Sequence, residues 1–103
     1  MTGNHSKGKA KEREFLAYRG VEGFVFPMGH HASGDKDAFG IADGLNLYPS
    51  GRVCFFQICH HSTVKRHREA IECFVREHPL RHYDIELWSW KNEVPGFRLI
   101  GAW

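Results

Sequence analysis

The sequence predicts an α/β domain: a mixed sheet with helices packed on it, in the order α-β-β-β-α-β-β. Three observations carry this. Two apolar stretches, residues 41–48 and 52–59, flank Pro49-Ser50-Gly51, a good tight-turn triplet, and read as a hairpin. A helix-forming run over residues 7–18 precedes them, and an amphipathic run over residues 62–77 follows. Two more strand-like stretches, residues 83–91 and 97–103, close the chain around a turn at 92–96. Helices and strands mixed in this way pack as layers around one core.

Taken in order, residues 1–6 are expected to form a disordered basic tail ahead of a single domain over 7–103. The first helix is rich in Lys, Ala, Glu, Arg and Leu and stops at Gly20. Residues 23–28 read as a short strand, and Pro27 marks an edge or an end because proline cannot donate to the ladder. Residues 29–39 are a polar loop. In the strand over 52–59, Val53, Phe55, Gln57 and Cys59 share one face, and Cys54, Phe56 and Ile58 share the other. Both faces are mostly apolar, so this strand is expected to be central and covered on both sides. Ser62 or Thr63 is the expected cap of the second helix, and Val64, His67, Ile71, Phe74 and Val75 form its apolar face. Pro79 lies just past its end.

Composition narrows the class. At 103 residues and 42% hydrophobic the chain can bury a core and is not a disordered chain. No apolar run approaches the roughly 20 residues that span a bilayer, and the polar, basic start carries no secretory h-region. No membrane partner is therefore expected. Three cysteines are an odd number, and Cys54 and Cys73 sit in apolar patterns, so free thiols in a reduced, cytoplasmic setting are expected. The net charge of +2 says little, but its distribution says more. Lys7, Lys9, Lys11, Arg13 and Arg19 crowd the first helix, and Lys65, Arg66 and Arg68 crowd the second. Such patches either track a phosphate backbone or form a solvated helix face.

Three polar residues interrupt apolar patterns. Asp43 sits in an apolar strand, where an unpaired buried carboxylate is costly and calls for a cation, a donor or a metal. Its plain alternative is a wet turn residue beside Gly44. Gln57 needs partners for a buried amide. Glu12 shares a helix face with Phe15, Leu16 and Arg19 and so points inward, although an ordinary i,i+4 charge partner would look the same. Glu12 and Asp43 together would supply hard oxygen ligands suited to Mg²⁺ or Mn²⁺. The histidine groups, His30-His31 and Cys59-His60-His61, contain zinc-type ligands, but adjacent residues rarely share one ion and no C-x-x-C spacing is present. His78 and His82 have i,i+4 spacing with Pro79 between them, which argues against the helix that would align them. His67, on the apolar helix face, reads as a packed histidine. Trp88, Trp90, Phe97 and Trp103 alternate as in strands and read as core or dimer surface rather than as a base-stacking platform.

Three passages together resemble the PD-(D/E)XK nuclease superfamily, and within it the archaeal-type Holliday-junction resolvases. Lys7-Gly8-Lys9-Ala10-Lys11-Glu12-Arg13-Glu14 is similar to that family's opening helix, K-G-x-x-x-E-R-E. Ala32-Ser33-Gly34-Asp35-Lys36 is similar to its serine-bearing loop. Asp43, a hairpin and Gln57-Ile58-Cys59 resemble its aspartate and E-x-K strand, with an amide at the glutamate position and a thiol at the lysine position. The likeness covers about residues 7 to 90. It implies a restriction-endonuclease-like fold and a Mg²⁺- or Mn²⁺-dependent DNA endonuclease acting on branched duplex as a homodimer. It implies Glu12, Asp43 and Gln57 as metal ligands and Ser33 at the phosphate. Lys65 is the first choice to replace the missing lysine, with Arg66, Arg68, Lys36, His60 and His61 behind it. Lys7, Lys9, Lys11, Arg13, Lys36, Arg66 and Arg68 would bind the DNA backbone. Because Gln57 and Cys59 both remove charge, the alternative is a nuclease fold that binds DNA or protein without cutting. A weaker third reading is a histidine-based metal-binding regulator.

Overall fold

The chain is seen in a computed structural model that describes residues 3–26 (side chains from residue 10), 41–79 and 81–103. Its elements are α1 (Gly3–Arg19), β1 (Glu22–Val25), β2 (Gly44–Leu47), β3 (Val53–His60), α2 (Val64–Glu77), β4 (Asp84–Lys91) and β5 (Val94–Ala102). The described strands form one sheet in the order β1-β2-β3-β4-β5. β1, β2 and β3 are an antiparallel meander, β3 and β4 run parallel, and β5 returns antiparallel. The parallel pair needs a crossover, and α2 supplies it. The order of helices and strands is the one the sequence predicts, in a mixed α/β architecture.

Alternation along β3 sends its two rows of side chains into two cores. On the α1 face, Phe15 packs with Phe56, Ile58, Trp88 and Phe97. Its ring lies 4.8 Å from Phe56, 5.2 Å from Phe97 and 5.3 Å from Trp88, at tilted or edge-on angles that aromatic quadrupoles favour. On the α2 face, Cys59, Ile71, Ile85 and Leu87 pack with Ile41 and Ala42, flanked by Phe55, Val64, Phe74 and Val75. β3 is thus central and covered on both sides, as expected from its composition.

Close backbone approach fixes the corner at the start of β2. A side-chain carbon at Gly44 would meet Phe24 O at 2.3 Å and the Phe56 ring at 2.6 Å, so only glycine fits there. The preceding residue, Asp43, is held by its main chain: its N–H donates to Phe56 O at 2.7 Å and its carbonyl accepts from Phe26 N at 2.8 Å.

Several boundaries differ from the sequence reading. β2 begins at Gly44, not at residue 41, so Asp43 lies at the corner before the strand and not within it. α1 begins at Gly3, not Lys7. α2 begins at Val64 after a 3-10 turn over His61–Thr63; neither Ser62 nor Thr63 caps it through a side chain, and the His60 ring instead accepts from Ser62 N at 3.3 Å. β5 begins at Val94 rather than Phe97. A short turn with Glu93 at φ 63° and a positive φ of 84° at Gly96 lets the strand start early. Pro95 is tolerated because β5 is an edge strand, where a missing donor costs no ladder bond.

Candidate functional site

The C-terminal end of β3 is the point where both helices meet the sheet. α1 covers one face, α2 starts directly after the strand, and the corner at Asp43 lies beside it. Residues from all of these line one cavity of about 190 Å³: Lys11 and Glu12 of α1, Asp43, then Ile58, Cys59 and His60 of β3, Thr63 and His67, and Trp90 of β4. Glu12 and Asp43, distant in sequence, therefore converge. Asp43 Oδ2 accepts a hydrogen bond from the Ile58 main-chain N–H at 2.9 Å, which ties the carboxylate to the strand.

The thiol of Cys59 is 6% exposed and stays protonated, because burial pushes its pKa up. The Asp43 carboxylate adds to that rise, while hydrogen bonding by Thr63 and the Arg66 charge oppose it. A protonated thiol is neither a cation nor a strong nucleophile, so Cys59 supplies neither the charge of a lysine nor covalent chemistry. His67 has its pKa lowered, first by burial and then by Arg66. It is held neutral near pH 7, with a ring nitrogen able to accept a proton. The sequence reading gave His67 as a packed histidine; it is partly buried and lines the cavity, and helical periodicity marks an inward face without telling core from cavity.

Other predicted residues fall elsewhere. Gln57 does not line the cavity. Its side chain is 4% exposed, its Nε2 lies 3.5 Å from Ile58 O, and Oε1 is buried with no donor among the described residues. Lys65, Arg66 and Arg68 are exposed and line no part of the cavity; Arg68 donates instead to Ile100 O at 3.1 Å. Arg66 acts on the site only through its field on Cys59 and His67. Arg13 is exposed on α1. The Ser33 loop, Lys36 and His30-His31 lie outside the described residues, as do the side chains of Lys7 and Lys9.

The cation that does line the cavity is Lys11, which the sequence reading assigned to backbone contacts. Its Nζ sits 4.6 Å from the centre of the Trp90 ring and 3.4 Å from Glu14 Oε1. Trp90 and His60 meet edge to face at 4.8 Å, and His60 and His61 rings lie 4.4 Å apart. No signal in the sequence pairs Lys11 with Trp90, since the contact crosses most of the chain.

Among the described residues no group of three or more His, Cys, Asp and Glu side chains is gathered closely enough to hold a metal ion. Two carboxylates nevertheless suit Mg²⁺, which keeps most of its waters and takes one or two carboxylates plus substrate phosphate. The cavity lining offers these two hard carboxylates beside the softer Cys59, His60 and His67, and only the carboxylates match that ion's preference. No described helix is long and apolar enough to cross a membrane. No protein-family model, curated protein or solved structure matches the chain.

Proposed function

We propose that the chain is a metal-dependent DNA endonuclease of the PD-(D/E)XK type, with a restriction-endonuclease-like fold and branched or otherwise distorted duplex as its substrate. One observation carries this reading: Glu12, Asp43 and Cys59, drawn from three separated segments, line one cavity, and each occupies the motif position at which the resemblance sets a ligand or the lysine. An antiparallel meander followed by a helical crossover to a parallel strand is compatible with it.

In this reading Glu12 and Asp43 hold Mg²⁺ or Mn²⁺, which when bound polarises the phosphate and lowers the pKa of a water. The remaining work falls to the chain. Water attacks phosphorus, the bond to the leaving oxygen breaks, the water loses a proton and the leaving oxygen gains one. His67, neutral and half-buried in the cavity, takes the proton. Lys11 places a positive charge at the cavity wall, where negative charge builds on the phosphoryl oxygens, and so fills the role that Cys59 leaves open. Gln57 sits behind the cavity rather than in it. The basic residues of α1 and α2 hold the backbone in a salt-sensitive way, and two copies of the chain would make paired cuts.

The test is cleavage of synthetic four-way junctions and flaps in Mg²⁺ or Mn²⁺ by wild type and Asp43→Ala. Metal-dependent cleavage that Asp43→Ala abolishes is the expected result, and cleavage indifferent to Asp43 rejects the assignment. The neutral thiol at the lysine position favours a second reading, a nuclease fold that binds without cutting. Binding of junctions by wild type with no cleavage under any divalent metal would select it.

A further inference from the structure

A second cavity adjoins the first and differs from it in kind. It measures about 510 Å³, within the usual range of roughly 300–1,000 Å³ for small-molecule sites. Its apolar wall is Trp90, Phe97, Val64, Val94, Pro95 and Ile100. Its polar lining is cationic or neutral: Lys91, Arg98, His61 and Ser89, with no acidic side chain. A neighbouring cavity of about 520 Å³ across Trp90 includes Glu14 and Glu93, so the absence of acids from the first is not general to this end of the sheet.

Two features join this cavity to the carboxylate site. Trp90 lines both. His60, in the carboxylate site, has its ring 4.4 Å from that of His61, in the apolar cavity. The apolar patch here is also exposed where a free domain would tend to cover it: Val94 is 52% exposed at the tip of the β4–β5 turn. An occupant suited to this lining is flat or bulky and apolar in body, carries negative charge at its edge and, on the nuclease proposal, reaches the carboxylate cavity with that charge. A nucleotide with an unpaired base meets all three requirements. A base inside an intact duplex does not, because its faces are already stacked.

We infer that the cavity bounded by Trp90, Phe97, Val94 and Pro95 receives an unpaired nucleobase of the DNA substrate, with Lys91 and Arg98 on its flanking phosphates and the next phosphate directed to Glu12 and Asp43. The inference rests on the nuclease reading and deepens it: single-stranded nucleotides next to a duplex, rather than uniform duplex, are the recognised feature. Stacking of a base on an aromatic side chain contributes enough that its loss weakens binding by about tenfold. Trp90 is here a positioning residue for substrate.

The experiment measures binding in EDTA, where no cleavage occurs, of a fluorescein-labelled duplex bearing a three-nucleotide dT arm and of the same duplex fully paired. Trp90→Leu is expected to weaken binding to the arm-bearing DNA about tenfold and to change binding to paired DNA less than twofold. Trp90→Phe keeps an aromatic face and is expected to stay within threefold of wild type. Val94→Asp, at an exposed position, places an acid in the cavity without disturbing the core and is expected to weaken arm binding alone; it decides the matter if Trp90→Leu does not fold. Photocrosslinking from 5-iodouracil in the arm should yield adducts at Trp90. Equal loss on both DNAs, or no loss on either, overturns the inference, as does protection of the cavity by an aromatic peptide but not by the arm. The two readings fail separately. Asp43-dependent cleavage with Trp90-independent arm binding removes only the base pocket, and Trp90-dependent arm binding without cleavage removes only the nuclease.

Discussion

At the start of β3 the polar groups beneath α1 are sealed, whereas at its end they face a cavity. Under the C-terminal half of α1, Asn46 and Cys54 are fully buried and Glu86 is 8% exposed. Glu86 Oε1 accepts from Trp88 Nε1 at 2.9 Å, Arg19 lies 5.0 Å from the Trp88 ring centre, and the Arg19 guanidinium donates to the Tyr48 hydroxyl at 2.7 Å. Burial, reinforced by Glu86, pushes the Cys54 thiol up to about 12. At the other end, Glu12, Asp43, Cys59 and His67 are also drawn inward but around about 190 Å³ of open space. The same strand carries both clusters, and a thiol sits in each. Polar residues in an apolar strand therefore do not by themselves mark a reactive site. On the nuclease proposal access is what separates the two clusters, since chemistry on a phosphate requires room for the phosphate.

This contrast can be broken from either side. The largest effect is expected at the open end, where Glu12→Gln should lower metal-dependent junction cleavage about 100-fold or more, equivalent to about 2.7 kcal/mol of barrier. Single-turnover cleavage measures it, with circular dichroism to show retained fold. At the sealed end Asn46→Leu should leave cleavage within twofold of wild type. Both amide atoms of Asn46 are buried with no partner among the described residues, so an apolar side chain of similar size is expected to raise stability by about 1 kcal/mol in urea unfolding. A large loss of cleavage in Asn46→Leu would erase the distinction between the two ends.

The smallest effect concerns pH. His67 has a folded pKa below its ordinary value of 6.5 because of burial, then Arg66. As pH falls below about 6.5 the unfolded chain takes up a proton that the folded chain resists. The stabilising contribution of neutral His67 is therefore present above that pH and lost on acidification toward the folded pKa. In metal-free protein, thermal melts from neutral to mildly acid pH should show a shallower decline for His67→Gln than for wild type. Identical slopes would show that folding does not depress the His67 pKa.

Much of the fold was legible in the sequence because it is written in local patterns. Alternation over Val53–His60, the Pro49-Ser50-Gly51 turn and the apolar face of α2 each depend on near neighbours. The early start of β5 was not, because Asn92, Glu93 and Pro95 read as loop until the strand is known to lie at an edge. At the site, the inward turn of Glu12 could be read from its place on the apolar helix face, whereas Asp43, expected within a strand, lies at the corner just before β2. Lys11, His67 and Trp90 could not be assigned to the cavity, since what brings them there is the packing of α1 across β3 and β4. Lys65 shows the same limit: it lies close to Cys59 in sequence but is exposed and lines no part of the cavity, whereas Lys11, from the other helix, does.

Mn²⁺ titration followed by electron paramagnetic resonance tests whether Glu12 and Asp43 form one divalent-metal site, as proposed. The sample is the protein bound to a non-cleavable phosphorothioate four-way junction. Asp43→Asn retains one oxygen able to accept from Ile58 N–H, so the double variant Glu12→Gln with Asp43→Asn removes charge with little change of shape. Wild type is expected to bind Mn²⁺ stoichiometrically and the double variant to lose at least about tenfold in affinity. Equal Mn²⁺ affinity in the two proteins would contradict the proposed site.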